Sequence, residues 1–193
     1  MVVKHVAKPR LKETKFLLHK NKSNNEGIEV FSDASIRIYQ YGQGFDLPMS
    51  FAIAVKHIQT EAINSIAEHF TVEQIQTWQA GKSEDFIDFI KNCHANYFVF
   101  DEREEIIGYA ILPKAGFLQQ FFIHPNYQFK GIGTKLLSVI EKEASNRDNK
   151  GMLSLNGNNG SYQFYLKLGY SIAKEHDLDM RGVLIPVKLM EKV

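Results

Sequence analysis

The chain has 193 residues, 44% of them hydrophobic and 23% charged, and a formal net charge of +1 at pH 7. That length suits one domain with an extension, and the near-neutral balance excludes a global field strong enough to draw the molecule to nucleic acid or anionic lipid. A single cysteine, Cys93, excludes an internal disulfide framework and any multi-cysteine metal site, and a reducing, cytoplasmic setting is expected.

The N-terminal stretch is unlike the rest. Residues 1–22 hold seven basic side chains against one acid, Glu13, so the remainder is net acidic. A basic start of this kind reads as a solvated tail, a transit peptide or an arm for a polyanion. No apolar run is long enough to span a bilayer. After the polar run 21–25, Ile28–Phe31 and Ile36–Tyr39 flank Ser32-Asp33-Ala34-Ser35 and predict a hairpin over 28–39. Gly42, Gly44 and Pro48 then punctuate the chain, and Phe51-Ala52-Ile53-Ala54-Val55 reads as a first core strand. The expected organisation is an N-terminal extension over 1–49 and a main domain over 50–193.

Helical spacing follows. Ile58, Ala62, Ile66, Ala67 and Phe70 share one face, with Thr60 as an N-cap, and Thr71-Val72-Glu73-Gln74 has the form of a capping box opening a short second helix that carries Ile75 and Trp78. Phe86, Phe89, Ile90 and Cys93 predict a third helix. Strands are expected at 97–100 and 106–112 around an exposed charged turn, Asp101 to Glu105, and again at 117–123. Beyond them come a helix over 131–146, a strand over 152–156, a helix over 160–168 and strands over 170–174 and 183–189. This order implies an α/β fold of the α+β kind, with a mixed, mostly antiparallel central sheet and helices on both faces.

The stretch richest in chemistry runs from Phe121 to Thr134. A strand enters a Pro-bounded turn, and a loop with two glycines opens into an amphipathic helix whose stripe is Ile132, Leu136, Leu137, Ile140 and Ala144. The first N–H groups of a helix lack internal partners and carry about half a positive charge, which suits phosphate. Neither the dinucleotide Gly-x-Gly-x-x-Gly pattern nor the P-loop pattern is present, since residue 136 is Leu. The seven histidines form no i, i+4 pair, so no metal site is expected.

Gln128-Phe129-Lys130-Gly131-Ile132-Gly133 resembles the Gln/Arg-x-x-Gly-x-Gly/Ala signature of the GNAT superfamily of acyl-CoA-dependent N-acetyltransferases. Asn158 to Tyr165, continued by Leu166-Lys167-Leu168-Gly169-Tyr170, resembles a second segment of that family, and Ile66 to Trp78 resembles its early helices. The likeness covers roughly residues 51–190. It implies that acetyl-CoA is the acyl donor, with its diphosphate on the main chain of Gln128, Phe129, Lys130, Gly131, Ile132, Gly133 and Thr134. It also implies that the pantetheine arm pairs like a strand along Phe121, Phe122 and Ile123 and is held by Asn158. Tyr165 maps to the family's general acid, and a backbone N–H of Phe122 or Ile123 maps to the group that stabilises the carbonyl oxygen.

The base is not assigned. Gln119 and Gln120 stand where many members carry a carboxylate, and an amide takes no proton at neutral pH. His124 reads as a surface histidine in a variable turn. The resemblance therefore implies direct transfer of an acetyl group from acetyl-CoA to the primary amine of a small molecule. The alternatives are a protein acetyltransferase acting on a lysine or an N-terminus, and an acyl-CoA-binding sensor without turnover. No nucleic-acid or membrane partner is expected. The acceptor pocket is expected between the early helices and a loop near 174–183, and the oligomeric state, a dimer among the choices, is open.

Overall fold

A computed structural model describes residues 27–81, 83–145 and 153–192. The basic arm, the last residue of the expected 131–146 helix and the first of the expected 152–156 strand lie outside them.

The hairpin forms as β1 (Ile28–Ser32) and β2 (Ile36–Gly42). Asp33 closes its turn by accepting from the N–H groups of Ser35 and Ile36 at 2.8 and 3.0 Å. The hairpin is part of the main sheet. β2 pairs antiparallel with β3 (Ala95–Asp101) over seven residues, so the sheet begins before residue 50.

Residues 51–55 are helical rather than a strand. They open α1 (Met49–Asn64), which starts after Pro48 in an extended conformation. Phe51, Ala52, Val55, Ile58, Ala62 and Ile63 are its buried face. A short apolar run satisfies both periods, and only its continuation to Ile63 separates them. Thr60 consequently sits inside a helix rather than at a cap. The capping box forms as expected at the start of α2 (Val72–Gln79): Thr71 Oγ1 accepts from Gln74 N–H, and Gln74 Oε1 accepts from Thr71 N–H. The third helix, α3, spans Ser83–Lys91.

β4 (Ile106–Leu112) pairs with β3, and the turn between them is less exposed than its charges suggest. Asp101 is 5% exposed. It accepts from the N–H groups of Arg103 and Glu105, from the Arg103 guanidinium and from the Tyr127 hydroxyl. A buried carboxylate needs such a set, because burial without partners costs several kcal/mol, of order ~5.

The expected 117–123 strand is two strands in two sheets. β5 (Phe117–Leu118) lies parallel to β7 (Leu153–Asn158), while β6 (Gln120–Ile123) lies antiparallel to β4. The remaining elements are α4 (Ile132–Ser145), α5 (Tyr162–Lys167), β8 (Ser171–Met180) and β9 (Val183–Lys192). The sheets run β1-β2-β3-β4-β6 and β5-β7-β9-β8. β8 is twice the expected length, and the anticipated loop near 174–183 is mostly strand with a turn at Arg181-Gly182.

Alternation along β3 explains the layers. Tyr97 and Val99 face a core with Leu136, Leu137 and Ile140 of α4, and Phe98 and Phe100 face a second core with Phe51, Val55 and Ile58 of α1. A strand covered on both faces is buried along its whole length and mostly apolar, as β3 is apart from Asn96 and Asp101. Each fully buried large side chain here contributes about 1.5–3 kcal/mol relative to exposure. Among the described residues, no helix is long and apolar enough to cross a membrane.

Candidate active site

The change of sheet at Gln119 leaves β6 and β7 unpaired with each other, and a cleft of about 590 Å³ opens between them. Phe121, Phe122, Ile123, Gln128, Asn158 and Tyr165 all line it. β6 is an edge strand. His124 N–H donates to Ile107 C=O at 2.9 Å, and Gly108 stands opposite Ile123. The alternation of an antiparallel ladder therefore turns the N–H of Phe122 toward β4 and those of Phe121 and Ile123 toward the cleft. Of the two amides expected to face a carbonyl oxygen, only that of Ile123 is aimed there. The Ile123 C=O is already held, by Gln128 Nε2 at 2.9 Å.

Beyond β6 the chain makes a 3-10 turn at Pro125–Tyr127 and enters the glycine loop. Gln128 N–H donates to Pro125 C=O, so it is spent within the turn rather than offered to a ligand. Among the described residues, the N–H groups from Phe129 to Thr134 donate to no acceptor, and the first bond of the helix comes from Lys135 to Gly131 C=O. Gly131 has φ 78°, and a Cβ there would meet nothing within 4 Å, so the residue serves the backbone's path beside open space. Phe129 has φ 59° and a fully exposed ring. That conformation costs a non-glycine residue about 1–2 kcal/mol. Lys130 Nζ is turned back onto Asn126 C=O at 2.8 Å.

The loop is braced from both sides. Tyr127 donates to Asp101, which fixes the turn to the β3–β4 connection. Lys135 of α4 pairs with Asp33, whose carboxyl it holds well below the usual range, and this ties the hairpin to the same helix.

Tyr165 projects from α5 with 5% exposure, its ring edge-on to Phe121, Phe164 and Tyr170. Burial pushes its phenol well above the ordinary range. The group is therefore a proton-bearing donor at neutral and mildly alkaline pH. Asn158 Oδ1 accepts from Gly160 N–H at 2.8 Å, which shapes the turn before α5, and its Nδ2 has no partner among the described residues. It caps a turn rather than the helix itself, whose N-cap is Ser161.

Several cleft residues are given no site role from the sequence. Asn156 Oδ1 is buried, lines the cleft and has no hydrogen-bond partner among the described residues. Lys56, Trp78, Asp85 and Arg181 line the opposite end, and Asp85 is the one carboxylate among the described lining residues. Alternation of Leu153, Leu155 and Gly157 inward along β7 could have singled out Asn156 and Asn158 as the outward pair. The other four are far apart in the chain, and only folding joins them. Gln120 faces the cleft with Oε1 accepting from Tyr109 at 3.1 Å, and Gln119 lines it too. His124 is not among the lining residues, and its Nδ1 accepts from Asn126 N–H.

Residues 66–187 match the family described as the acetyltransferase (GNAT) domain. No curated protein matches the chain in sequence. Solved structures do match in fold. A GCN5-related N-acetyltransferase from Rhodopseudomonas palustris aligns with a TM-score of 0.71 at 19% identity, over 84% of this chain and 98% of its own. The PaiA N-acetyltransferase from Thermoplasma acidophilum, solved in complex with coenzyme A, aligns at 0.61 and 21%, over 82% and 98%. The ribosomal-protein-S18-alanine N-acetyltransferase from Escherichia coli aligns at 0.55 and 17%, over 81% and 92%. With the family match spanning most of the chain and the split sheet in place, the protein belongs to the GNAT superfamily of acyl-CoA-dependent N-acyltransferases.

Proposed function

We propose that this chain moves an acetyl group from acetyl-CoA directly to the primary amine of a small molecule. The observation that carries the reading is the run of unpartnered N–H groups from Phe129 to Thr134, which directly follows Gln128, a residue that lines the β6–β7 cleft. Six main-chain donors and the positive end of α4 suit a diphosphate. The open space at Gly131 lets a phosphate come close. The outward edge of β6 at Phe121 and Ile123, with Asn158 Nδ2 across the cleft on β7, suits the amide-bearing pantetheine arm. Phe121, stacked on Phe164 and edge-on to Tyr165, narrows the space beside β6, which favours a short acyl group.

Transfer forms a C–N bond as the C–S bond breaks. The Ile123 N–H is placed to stabilise the carbonyl oxygen as it gains charge. Tyr165 hydrogen-bonds the departing sulfur and can give it a proton, while the amine nitrogen loses one to solvent. With amides at 119 and 120, the chain supplies no carboxylate on β6 for that deprotonation. The acceptor must then arrive neutral, and kcat/KM should rise with pH up to the acceptor's own pKa. Asn156 Oδ1, buried and unpaired, is placed to accept a hydrogen bond from the amine.

A small acceptor is favoured by the walls. Gln74 Nε2 of α2 donates to Leu184 C=O of β9 at 2.7 Å, which ties the helix that carries Trp78 to the hairpin that carries Arg181. Incubation with acetyl-CoA and a panel of small amines should release free CoA. CoA binding without turnover of any amine would make the chain a sensor. Acetylation confined to lysines or N-termini in a treated proteome would make it a protein acetyltransferase.

A further inference from the structure

The acceptor end of the cleft holds two cations that the transfer chemistry does not use. Lys56, on α1, is half-buried, and its Nζ donates to Gln79 C=O at 2.6 Å and Gln59 Oε1 at 3.0 Å, neither of them charged. Arg181 stands at the tip of the β8–β9 hairpin with φ 57°. Its guanidinium reaches back toward the α2–α3 connection, where a Cβ on Gly81 would lie 3.7 Å from Nη2. Neither cation has a carboxylate partner among the described residues, and the Lys56 ammonium is disfavoured first by burial and then by Arg181. Asp85, the lone acid among the described lining residues, leaves the pair in excess. The walls beside them are apolar: Trp78, Phe86, Leu178, Met180 and Ile185.

Arg181 is exposed, but a half-buried ammonium such as Lys56, facing a second cation and no counter-ion, is unfavourable unless a ligand supplies the anion. The guanidinium fork suits a planar carboxylate, and an ammonium beside it adds a point charge. We infer that the acceptor is an amine carrying a carboxylate on an apolar body, the carboxylate held by Arg181 and Lys56 and the amine directed at Asn156 and Tyr165. This rests on the acetyl-transfer reading and names the class of its acceptor.

The test compares L-leucine with isopentylamine, which share an apolar body and differ in the carboxylate. Their kcat/KM ratio is measured with acetyl-CoA for the full chain, Arg181→Gln and Lys56→Gln. Comparing ratios between proteins cancels the difference in amine basicity. The carboxylate-bearing amine should be preferred, and each substitution should lower that preference on the order of tenfold. A second readout needs no turnover. Trp78, the chain's single tryptophan, lines the cleft, and its fluorescence reports titration with N-acetyl-L-leucine or N-isopentylacetamide in the presence of CoA. Tighter binding of the carboxylate product, weakened about tenfold in Arg181→Gln, supports the inference. Equal binding of the two products, or a preference that survives both substitutions, overturns it. Turnover of both amines without preference removes the anion site and keeps the transferase. A fluorescence preference without any turnover does the reverse.

Discussion

At the α4 end, the groups proposed to meet the donor are main-chain amides from six consecutive residues. At the α2–α3 end, those proposed to meet the acceptor are side chains from α1, α2, α3 and the β8–β9 hairpin. The first arrangement depends on backbone path, so it needs glycine at 131 and tolerates varied neighbours. The second depends on side-chain identity at positions remote in sequence. A donor common to many reactions suits the former, and an acceptor particular to one reaction suits the latter. Substitutions should therefore separate cleanly into those that weaken donor binding and those that change acceptor choice.

The largest effect should come from Gly131→Glu. A carboxylate placed against a diphosphate, on a left-handed backbone, should weaken CoA binding by about 4 kcal/mol, roughly 1000-fold, as read by calorimetry. Gly131→Ala carries the strain without the charge, and should cost about 1–2 kcal/mol of folding stability while sparing most of the affinity. If both variants bind alike, the loop works through shape alone and the comparison between the two ends weakens.

Asp101→Ala tests whether the donor end is preorganised from outside the cleft. Removing this buried acceptor strands Tyr127 and two N–H groups, and should cost about 3 kcal/mol in denaturant unfolding. Burial alone would raise the pKa of Asp101, but hydrogen bonds from Glu105, Tyr127 and Arg103 outweigh it, so the carboxyl titrates below its ordinary value. A depressed folded-state pKa stabilises the fold above the unfolded value of about 3.9 and loses that contribution as pH falls through the folded one. Below about pH 4, stability should fall more steeply in the unmodified chain than in Asp101→Asn.

Tyr165→Phe should lower kcat about 10–100-fold, toward the low end for proton transfer, and leave the acetyl-CoA affinity near its original value. The phenol is raised by burial, so the unmodified enzyme should show no loss of rate from its ionisation until the pH exceeds the ordinary tyrosine value of about 10. An unchanged kcat would reduce Tyr165 to a packing ring. The smallest effect concerns Asn156. Replacing its unpaired buried oxygen by Asn156→Leu should stabilise the fold by about 1 kcal/mol while raising the acceptor KM. Lower stability instead would mean that the orphaned oxygen has a structural role.

The strand, turn and helix around the proposed donor loop were legible in the sequence because their signal is local. A strand, a turn, two glycines and an amphipathic stripe lie within one short segment, and the capping box at Thr71 and the hairpin at 28–39 are likewise local. Three features were not legible. Phe51 to Val55 satisfies both strand and helix periods, and only packing on β3 and β4 decides it. The break at Gln119 that splits one expected strand between two sheets leaves no mark, since both halves are apolar and extended. Asp101 reads as exposed because its charged neighbours are; its burial depends on Tyr127, 26 positions later. The sequence pointed to the early helices and the segment near 174–183 for the acceptor, but not to which side chains meet there. Lys56 and Arg181 become a pair only when α1 and the β8–β9 tip meet.

The central claim is that main-chain amides from Phe129 to Thr134 hold the diphosphate of CoA. Amide NMR spectra recorded during addition of CoA, and separately of pantetheine, address it residue by residue. The account predicts that these six resonances move strongly with CoA and little with pantetheine. Unmoved resonances in this segment, with the changes concentrated elsewhere, would contradict it.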